Sequence, residues 1–275
     1  MSNSTQNLAA EAQLNWVRTG TEHAETVVLL HAIGYDLTYW DRQIEALKAD
    51  YNVVAFDLPG HGRSHGRPED WSFERAVPMV AALIESVSTG PVHLVGISFG
   101  GMLAQATVLA RPELIRTLTL IGTASTFPEA VRDGMRARAQ ALRADGMKAV
   151  LQSSLERWYT PEFLIGRPDI VDRVTKTILT DDPAIQAAIW EMIAGFEVRD
   201  RLGEIQCPTL VLVGERDPST PPSVAAVLAE GIPGARMVVI PNASHIVTVE
   251  APVAVNAELQ RFMGALRPAR AAVTS

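Results

Sequence analysis

The chain has 275 residues, a formal net charge of −7 and 47% hydrophobic residues, which together indicate a globular protein with a sizeable core. The acidic balance argues against a nucleic-acid partner, which would need a clustered basic face. The single cysteine, Cys207, excludes an internal disulfide. No apolar run reaches the roughly 18 to 20 residues of a membrane span, and residues 1–6 lack the pattern of a signal peptide. We therefore expect a cytoplasmic protein without membrane contact, and its oligomeric state stays open.

The first half of the chain alternates predicted strands and helices. A loose leader over 1–12 precedes strands at 16–18 and 26–30, the second of which lacks polar alternation, as expected for burial on both faces. The elements that follow are a helix at 40–49, a strand at 51–56, a helix at 73–87, a strand at 92–97, a helix ending near 110 and a strand at 117–122. This alternation predicts the α/β class, with a mostly parallel central sheet and helices on both faces.

The alternation stops near residue 127. From there to residue 200 the pattern is helical, with breaks at Gly146, Pro161, Pro168 and Pro183. Strands and helices then resume as a strand at 208–214, a helix at 223–230, a strand at 236–240 and a helix at 253–266, before a frayed tail. We therefore predict a core formed by residues 1–126 and 201–275, interrupted by a helical cap over residues 127–200.

The strongest functional signal lies at Ser98. This serine stands in the pattern Gly-x-Ser-x-Gly between a predicted strand and a predicted helix, which is the context of a nucleophile elbow. The turn is too tight for bulk beside the serine, so glycine is needed at 96 and 100. The N-terminus of the following helix favours developing negative charge. We interpret Ser98 as a nucleophile, and the alternative is an ordinary loop that matches the pattern by chance.

A serine hydroxyl needs a base within hydrogen-bond reach and a third group that orients this base. In the elbow context an acid and then a histidine follow the serine along the chain. Asp217 follows the strand at 208–214 and His245 follows the strand at 236–240, so both lie at the carboxyl edge of the predicted sheet. Glu215 is the alternative acid. Because His245 must be neutral to act as a base, we expect activity to fall in acid.

Backbone amides must bind the oxyanion that forms during attack on a carbonyl. One amide follows the nucleophile, at Phe99, and the second lies in the loop after an earlier strand, where we predict Ile33 with Ala32 as the alternative. The stretch 57–64, which includes His61, is interpreted as a structural turn because of its proline and glycines. No spacing of side chains predicts a metal site, and no glycine-rich loop predicts a cofactor.

Taken together, these motifs resemble the α/β-hydrolase superfamily over nearly the whole chain. The matching stretches are 57–64, 96–101, 214–217 and 243–245. More narrowly, the chain is similar to the 3-oxoadipate enol-lactonase group at 39–43, 156–163, 200–202 and 249–252. Enol-lactonases often read Asn-Ser-Leu-Gly where this chain has His31-Ala32-Ile33-Gly34, so this loop is closer to that of general esterases.

The resemblance implies an α/β-hydrolase fold whose helical cap lies over the serine, with a small-molecule ester or lactone entering between cap and core. It implies hydrolysis through an acyl-enzyme without a cofactor. For the substrate pocket we predict Ala32, Phe127, Trp158 and Trp190, with packing inside the cap as the alternative for the aromatic residues. Several cap arginines are candidates for binding a carboxylate of the substrate, and a solvated helix face is their alternative role. They are Arg132, Arg136, Arg138, Arg143 and Arg157.

Other activities occur on the same fold with the same three residues. They are those of general carboxylesterases, carbon–carbon bond hydrolases and cofactor-free perhydrolases. Haloalkane dehalogenases and epoxide hydrolases resemble the fold but carry an aspartate at the elbow, so Ser98 argues against both. A small-molecule receptor that retains the three residues would combine slow turnover with tight ligand retention. We expect ester or lactone hydrolysis.

Overall fold

The computed structural model describes residues 14–21 and 24–266, so the predicted leader and the end of the predicted tail lie outside the described residues. Within these residues the backbone forms one seven-stranded sheet. Its strands are β1 (Trp16–Gly20), β2 (Thr26–Leu30), β3 (Asn52–Phe56), β4 (Val92–Ile97), β5 (Ile115–Ile121), β6 (Thr209–Gly214) and β7 (Arg236–Ile240). Their spatial order is β1-β3-β2-β4-β5-β6-β7.

The sheet is parallel except at one edge. Only β1 runs antiparallel, against β3, and every other neighbouring pair in the described sheet is parallel. Every residue of β2, β4 and β6 is buried, because helices cover both faces of the sheet. The predicted class, a mostly parallel sheet with helices on both faces, is confirmed.

The helices that pack on the core fall close to their predicted positions. They are α1 (Asp41–Leu47), α2 (Phe73–Val87), α3 (Phe99–Ala110), α9 (Pro222–Gly231) and α11 (Pro252–Gly264). A further short helix, α10 (Val247–Glu250), was not predicted. The helix predicted at 40–49 differs, because a short 3-10 helix over Leu37–Trp40 precedes α1. Asp36 accepts a hydrogen bond from the amide of Thr38 at 2.8 Å, and this capping contact begins the turn earlier than periodicity indicates.

Between β5 and β6 lie five further helices, in the segment predicted as the cap. They are α4 (Glu129–Asp145), α5 (Lys148–Trp158), α6 (Pro161–Gly166), α7 (Pro168–Thr180) and α8 (Pro183–Ala194). All residues from 122 to 208 are described, and none of them forms a strand. Helices α4 and α8 pack along each other. No helix in the described ranges has the length and apolar character needed to cross a membrane.

Two glycines lie where these helices contact the core. A Cβ atom at Gly60 would lie 2.6 Å from Cδ1 of Ile185 on α8. Gly34, at φ 74°, would place a Cβ 3.0 Å from the Trp158 ring at the end of α5. Both positions therefore lack room for a side chain, and Gly34 also uses the left-handed backbone region that glycine tolerates.

Candidate active site

Ser98 lies in the tight turn between β4 and α3. Its backbone has φ 52° and ψ −117°, a strained combination for a residue with a side chain. A Cβ on Gly96 would lie 2.3 Å from the carbonyl oxygen of Gly100, and one on Gly100 would lie 2.2 Å from that of Leu30. Both glycines are therefore required by the close approach of backbone atoms, as the elbow interpretation expects.

The three residues predicted as nucleophile, base and acid lie in one hydrogen-bonded row. The Ser98 Oγ is 2.9 Å from Nε2 of His245, and Nδ1 of the same ring is 2.8 Å from Oδ2 of Asp217. All three side chains are buried. With the proton on Nδ1 donated to the carboxylate, Nε2 is free to accept the serine proton, which is the tautomer a general base needs.

The carboxylate of Asp217 is held by the residues that follow it. The amides of Ser219 and Thr220 donate to Oδ1 at 2.7 and 2.9 Å, and the Thr220 hydroxyl donates to Oδ2 at 2.8 Å. Burial raises the pKa of Asp217, but the charge of His245 and the hydrogen bonds from His245 and Thr220 outweigh it, so the pKa lies below the usual value. Asp217 is therefore ionised at neutral pH.

The alternative acid, Glu215, faces elsewhere: it accepts a hydrogen bond from the amide of Asn242 at 2.9 Å in an exposed position. Sequence reasoning missed Thr220 as a partner of the acid. The spacing of three residues after Asp217 was the available signal, because aspartate side chains commonly bind backbone amides two and three residues downstream.

The two amides predicted to bind the oxyanion have no hydrogen-bond acceptor among the described residues. Phe99 is the first residue of α3, so its amide has no acceptor within the helix. In the loop after β2, the amide of Tyr35 donates to the carbonyl of Ala32 at 3.3 Å, which leaves Ile33 and Gly34 as the central residues of a turn. Among the described residues, neither the Phe99 nor the Ile33 amide donates a hydrogen bond. The amide of Ala32, the alternative, is equally free.

The loop that carries Ile33 is fixed by a neutral histidine. His31 accepts a hydrogen bond on Nε2 from the amide of Leu58 at 2.9 Å and donates from Nδ1 to the carbonyl of Ala32 at 2.8 Å. Burial lowers the pKa of His31 to about 4, which outweighs the opposing contact with Ala32. The ring therefore joins the loop after β2 to the loop after β3 without carrying charge at neutral pH.

The stretch 57–64 forms the predicted turn, which begins at Asp57. Its carboxylate accepts hydrogen bonds from the Leu37 amide at 2.7 Å, the Arg63 amide at 2.8 Å and the Asn15 side chain at 2.7 Å. The groups bound by Asp57 thus come from three separate segments of the chain. This supports the interpretation of the turn as structural.

A second histidine, His61, joins this turn to the cap through a row of buried polar groups. Gln186 on α8 donates to Nε2 of His61 at 2.9 Å and to Oδ2 of Asp181 at 2.9 Å. Burial, followed by the neighbouring His31, lowers the pKa of His61 to about 3. Burial, followed by the charge of Asp36, raises the pKa of Asp181 to about 8. The contact between cap and core therefore includes a protonated acid and a neutral histidine at pH 7.

The loop of His245 is tied to the end of α5 by Glu250. One oxygen of this carboxylate accepts from the Thr160 amide at 3.0 Å and from the Thr160 hydroxyl, and the other accepts from the Ser244 amide at 2.6 Å. Directly after His245, the amide of Ile246 donates to the carbonyl of Trp158 at 3.0 Å. The loop on which the histidine stands is therefore bonded to the segment 158–160.

The four predicted pocket residues do not share one cavity. Trp158 and Trp190 line a cavity of about 10 Å³ between the cap helices and Ile33. Ala32 lines a separate cavity of about 10 Å³ beside Tyr35 and Ile246. Phe127 is packed in the hydrophobic cluster that includes Phe99 and Trp71. Each cavity has about the volume of one water position, so neither has room for a substrate in this conformation.

No group of histidine, cysteine and carboxylate side chains suited to a metal ion occurs in residues 14–21 and 24–266. A serine hydroxyl whose proton a histidine can accept is suited to attack on a carbonyl carbon.

Known proteins share this fold and part of this sequence. The 3-oxoadipate enol-lactonase 2 of Acinetobacter baylyi is 29% identical over 255 residues, which cover 93% of this chain and 94% of that protein. The enol-lactonase structure from Burkholderia xenovorans matches with a TM-score of 0.85 and 27% identity over 92% of this chain and 97% of that chain. A thermophilic esterase from Thermogutta terrifontis, in a structure with malate bound, matches with a TM-score of 0.86 and 28% identity over 93% and 94%.

These similarities confirm the predicted α/β-hydrolase fold and the resemblance to the enol-lactonase group. A model of the alpha/beta hydrolase family matches residues 27–258, which is most of the chain. The chain therefore belongs to the α/β-hydrolase family.

Proposed function

We propose that this hydrolase cleaves a carboxylic ester or lactone through an acyl-enzyme formed on Ser98. The observation that carries the proposal is the row of hydrogen bonds from Ser98 Oγ through His245 to Asp217, at 2.9 and 2.8 Å. A serine hydroxyl becomes a nucleophile at neutral pH when a neutral imidazole accepts its proton and a carboxylate stabilises the resulting cation.

In the proposed first half-reaction, His245 removes the proton of Ser98 while Oγ attacks the carbonyl carbon. The oxyanion accepts hydrogen bonds from the amides of Phe99 and Ile33. The intermediate collapses when His245 returns the proton to the leaving oxygen, which breaks the bond between the carbonyl carbon and that oxygen. In a lactone this oxygen remains attached to the acyl group.

In the second half-reaction, water takes the place of the alcohol. His245 accepts a proton from water as the water oxygen attacks the acyl-enzyme, and then returns this proton to Ser98 as the acid leaves. Asp217 holds the ring in the required tautomer throughout, and its low pKa keeps it ionised while His245 is positively charged.

The names of similar proteins guide the choice of substrate. One relative is a 3-oxoadipate enol-lactonase, one similar structure is an enol-lactonase, and another is an esterase with malate bound. We therefore propose 3-oxoadipate enol-lactone as the first lactone to test and a short-chain aryl ester as the reference substrate.

The test compares initial rates on both substrates for the wild type and for Ser98→Ala. We expect turnover on at least one substrate, and we expect Ser98→Ala to lower kcat by at least about 10⁴-fold. A much higher kcat/KM for the lactone supports enol-lactonase activity, whereas turnover of the ester alone supports a carboxylesterase. If neither substrate shows turnover that depends on Ser98, the proposal is wrong and carbon–carbon bond hydrolysis, perhydrolysis or ligand sensing takes its place.

A further inference from the structure

Arg138 on α4 is a half-buried cation in the segment 127–200. Its Nη1 donates to the hydroxyl of Ser153 at 3.0 Å, and its Nη2 donates to the carbonyl of Val150 at 3.2 Å and to the hydroxyl of Ser154. The guanidinium carbon lies 4.9 Å from the centre of the Trp190 ring, within the range of a cation–π contact. The Nε atom is buried and has no hydrogen-bond partner. The planar group is thus held in place with one donor unused.

No carboxylate of the described residues neutralises this charge. Other arginines on the same helix have acidic partners: Arg132 pairs with Glu197 at 2.9 Å, and Arg143 pairs with Glu191. Among the ion pairs within residues 14–21 and 24–266, none includes Arg138. Its surroundings oppose the charge, because burial and then the nearby Arg157 lower the pKa of Arg138 to about 10.

A charge that is partly removed from water and has no counter-ion destabilises a folded protein. The same group becomes favourable when a ligand supplies the opposite charge, and guanidinium groups bind carboxylates with strong, charge-assisted hydrogen bonds. The unused Nε donor and the absence of a protein counter-ion therefore indicate an anionic ligand.

Arg138 lies across a small cavity from the loop that carries the proposed oxyanion amide. Arg138 lines the cavity of about 10 Å³ between the cap and the oxyanion loop, together with Trp158, Trp190, Ile33 and Gly34. Ile33 belongs to the loop that also provides the proposed oxyanion amide, so this cavity lies between that loop and the guanidinium. A ligand that fills it must displace the cap side chains that now close it, since the free volume equals about one water position.

We propose that Arg138 is a specificity-determining residue that binds a second carboxylate of the substrate. The substrate class is then an ester or lactone whose acyl portion ends in a carboxylate, with the carbonyl at Ser98 and the acid at Arg138. This inference rests on the proposed function, because it assigns the remote end of the same substrate.

The test uses two aryl esters of matched chain length, the mono-4-nitrophenyl ester of glutaric acid and 4-nitrophenyl pentanoate. The quantity measured is the ratio of kcat/KM for the acidic ester to kcat/KM for the neutral ester. We expect this ratio to exceed 1 in the wild type and to fall by about 10- to 100-fold in Arg138→Gln, mainly through KM, since one charge-assisted hydrogen bond is lost. The matched control is Arg143→Gln, which removes an exposed arginine of the same helix and should keep the wild-type ratio.

Two further measurements separate binding from a structural role. Free glutarate should inhibit the wild type competitively and more strongly than pentanoate, and Arg138→Gln should lose this difference. Arg138→Lys retains the positive charge, so it should recover part of the ratio even if Arg138→Gln is too unstable to assay. Thermal unfolding of each variant monitors the fold.

Equal losses on both esters, or an unchanged ratio in Arg138→Gln, would show that Arg138 only supports the cap, and the inference would be wrong. A wild type that hydrolyses the neutral ester in a Ser98-dependent manner but shows no preference for the acidic one would overturn the inference alone. A wild type without Ser98-dependent turnover of either ester or of 3-oxoadipate enol-lactone would overturn the proposed function as well.

Discussion

Replacing Asp181 by asparagine should stabilise the protein, and the gain should grow with pH. Asp181 is 8% exposed and its pKa is raised from 3.8 to about 8, first by burial and then by Asp36. Between these two values the folded chain keeps the proton and the unfolded chain releases it. Rising pH therefore favours unfolding over this window, and the loss of stability is complete above about pH 8.

The magnitude follows from the proton count. One proton difference changes the free energy of unfolding by about 1.4 kcal/mol per pH unit, so the change from pH 5 to pH 7 is about 2.7 kcal/mol at most. Asp181→Asn removes this titration and still offers a carbonyl oxygen to the Gln186 amide, which now lies 2.9 Å from Oδ2. The variant should therefore exceed the wild type in stability by an amount that increases over this range.

Urea unfolding followed by tryptophan fluorescence at pH 5, 6, 7, 8 and 9 (test values) would measure the difference between the two proteins. His31 and His61, with pKa values lowered to about 4 and about 3, contribute in the opposite direction below about pH 6.5, but both are present in each protein and cancel in the difference. A difference that does not change between pH 5 and pH 7, or a wild type that is more stable than Asp181→Asn at pH 7, would refute this reasoning.

Three further outcomes follow from the site. Asp217→Asn should lower kcat on the aryl ester by about 10⁴-fold because the wrong histidine tautomer is then favoured; a loss below about tenfold would contradict this role. Thr220→Val removes the 2.8 Å hydrogen bond to Asp217. We expect kcat to fall by about tenfold and the pH profile of activity to shift relative to the wild type. An unchanged profile would show that Thr220 contributes only to packing. Gly100→Ala places a Cβ 2.2 Å from the carbonyl of Leu30 and should destabilise the fold by more than about 3 kcal/mol, measured by urea unfolding against Gly203→Ala, where no atom lies within 4 Å.

The hydrogen-bonded row of Ser98, His245 and Asp217 could be predicted because its residues follow a chain-order rule. Ser98 stands at a strand–helix junction with a glycine on each side, and Asp217 and His245 follow later strands that end at the same edge of the sheet. In a parallel sheet, that edge brings distant loops together, so sequence positions translate directly into proximity. The same rule does not predict Thr220, because its contact with Asp217 depends on how the loop after β6 folds.

The cap was less predictable because its arginines differ only in what they face. A helical pattern on α4 places Arg138 between Met135 and Leu142, at spacings of three and four residues, on the face that packs inward. That spacing was the available signal. The missing information was the absence of an acidic partner, which depends on how α4, α5 and α8 meet.

Two stretches that resemble enol-lactonases, 156–163 and 249–252, are far apart in the chain but meet at one carboxylate. Glu250 binds the amides of Thr160 and Ser244, and Trp158 binds the amide of Ile246. Sequence comparison alone treats these stretches as separate motifs. The structure explains why both occur together, since each supplies half of the same contact.

This contact has a consequence for exchanging caps between members of the family. A transplant cut at residues 127 and 200 would carry Trp158 and Thr160 away while leaving Glu250 and the loop of His245 behind. The recipient would then keep its nucleophile but lose the scaffold that aligns its base. Chimeras that retain 158–160 with the core, or that move Glu250 together with the cap, should preserve catalysis while changing substrate choice. We therefore expect the functional border between core and cap to lie inside the segment 127–200 and not at its ends.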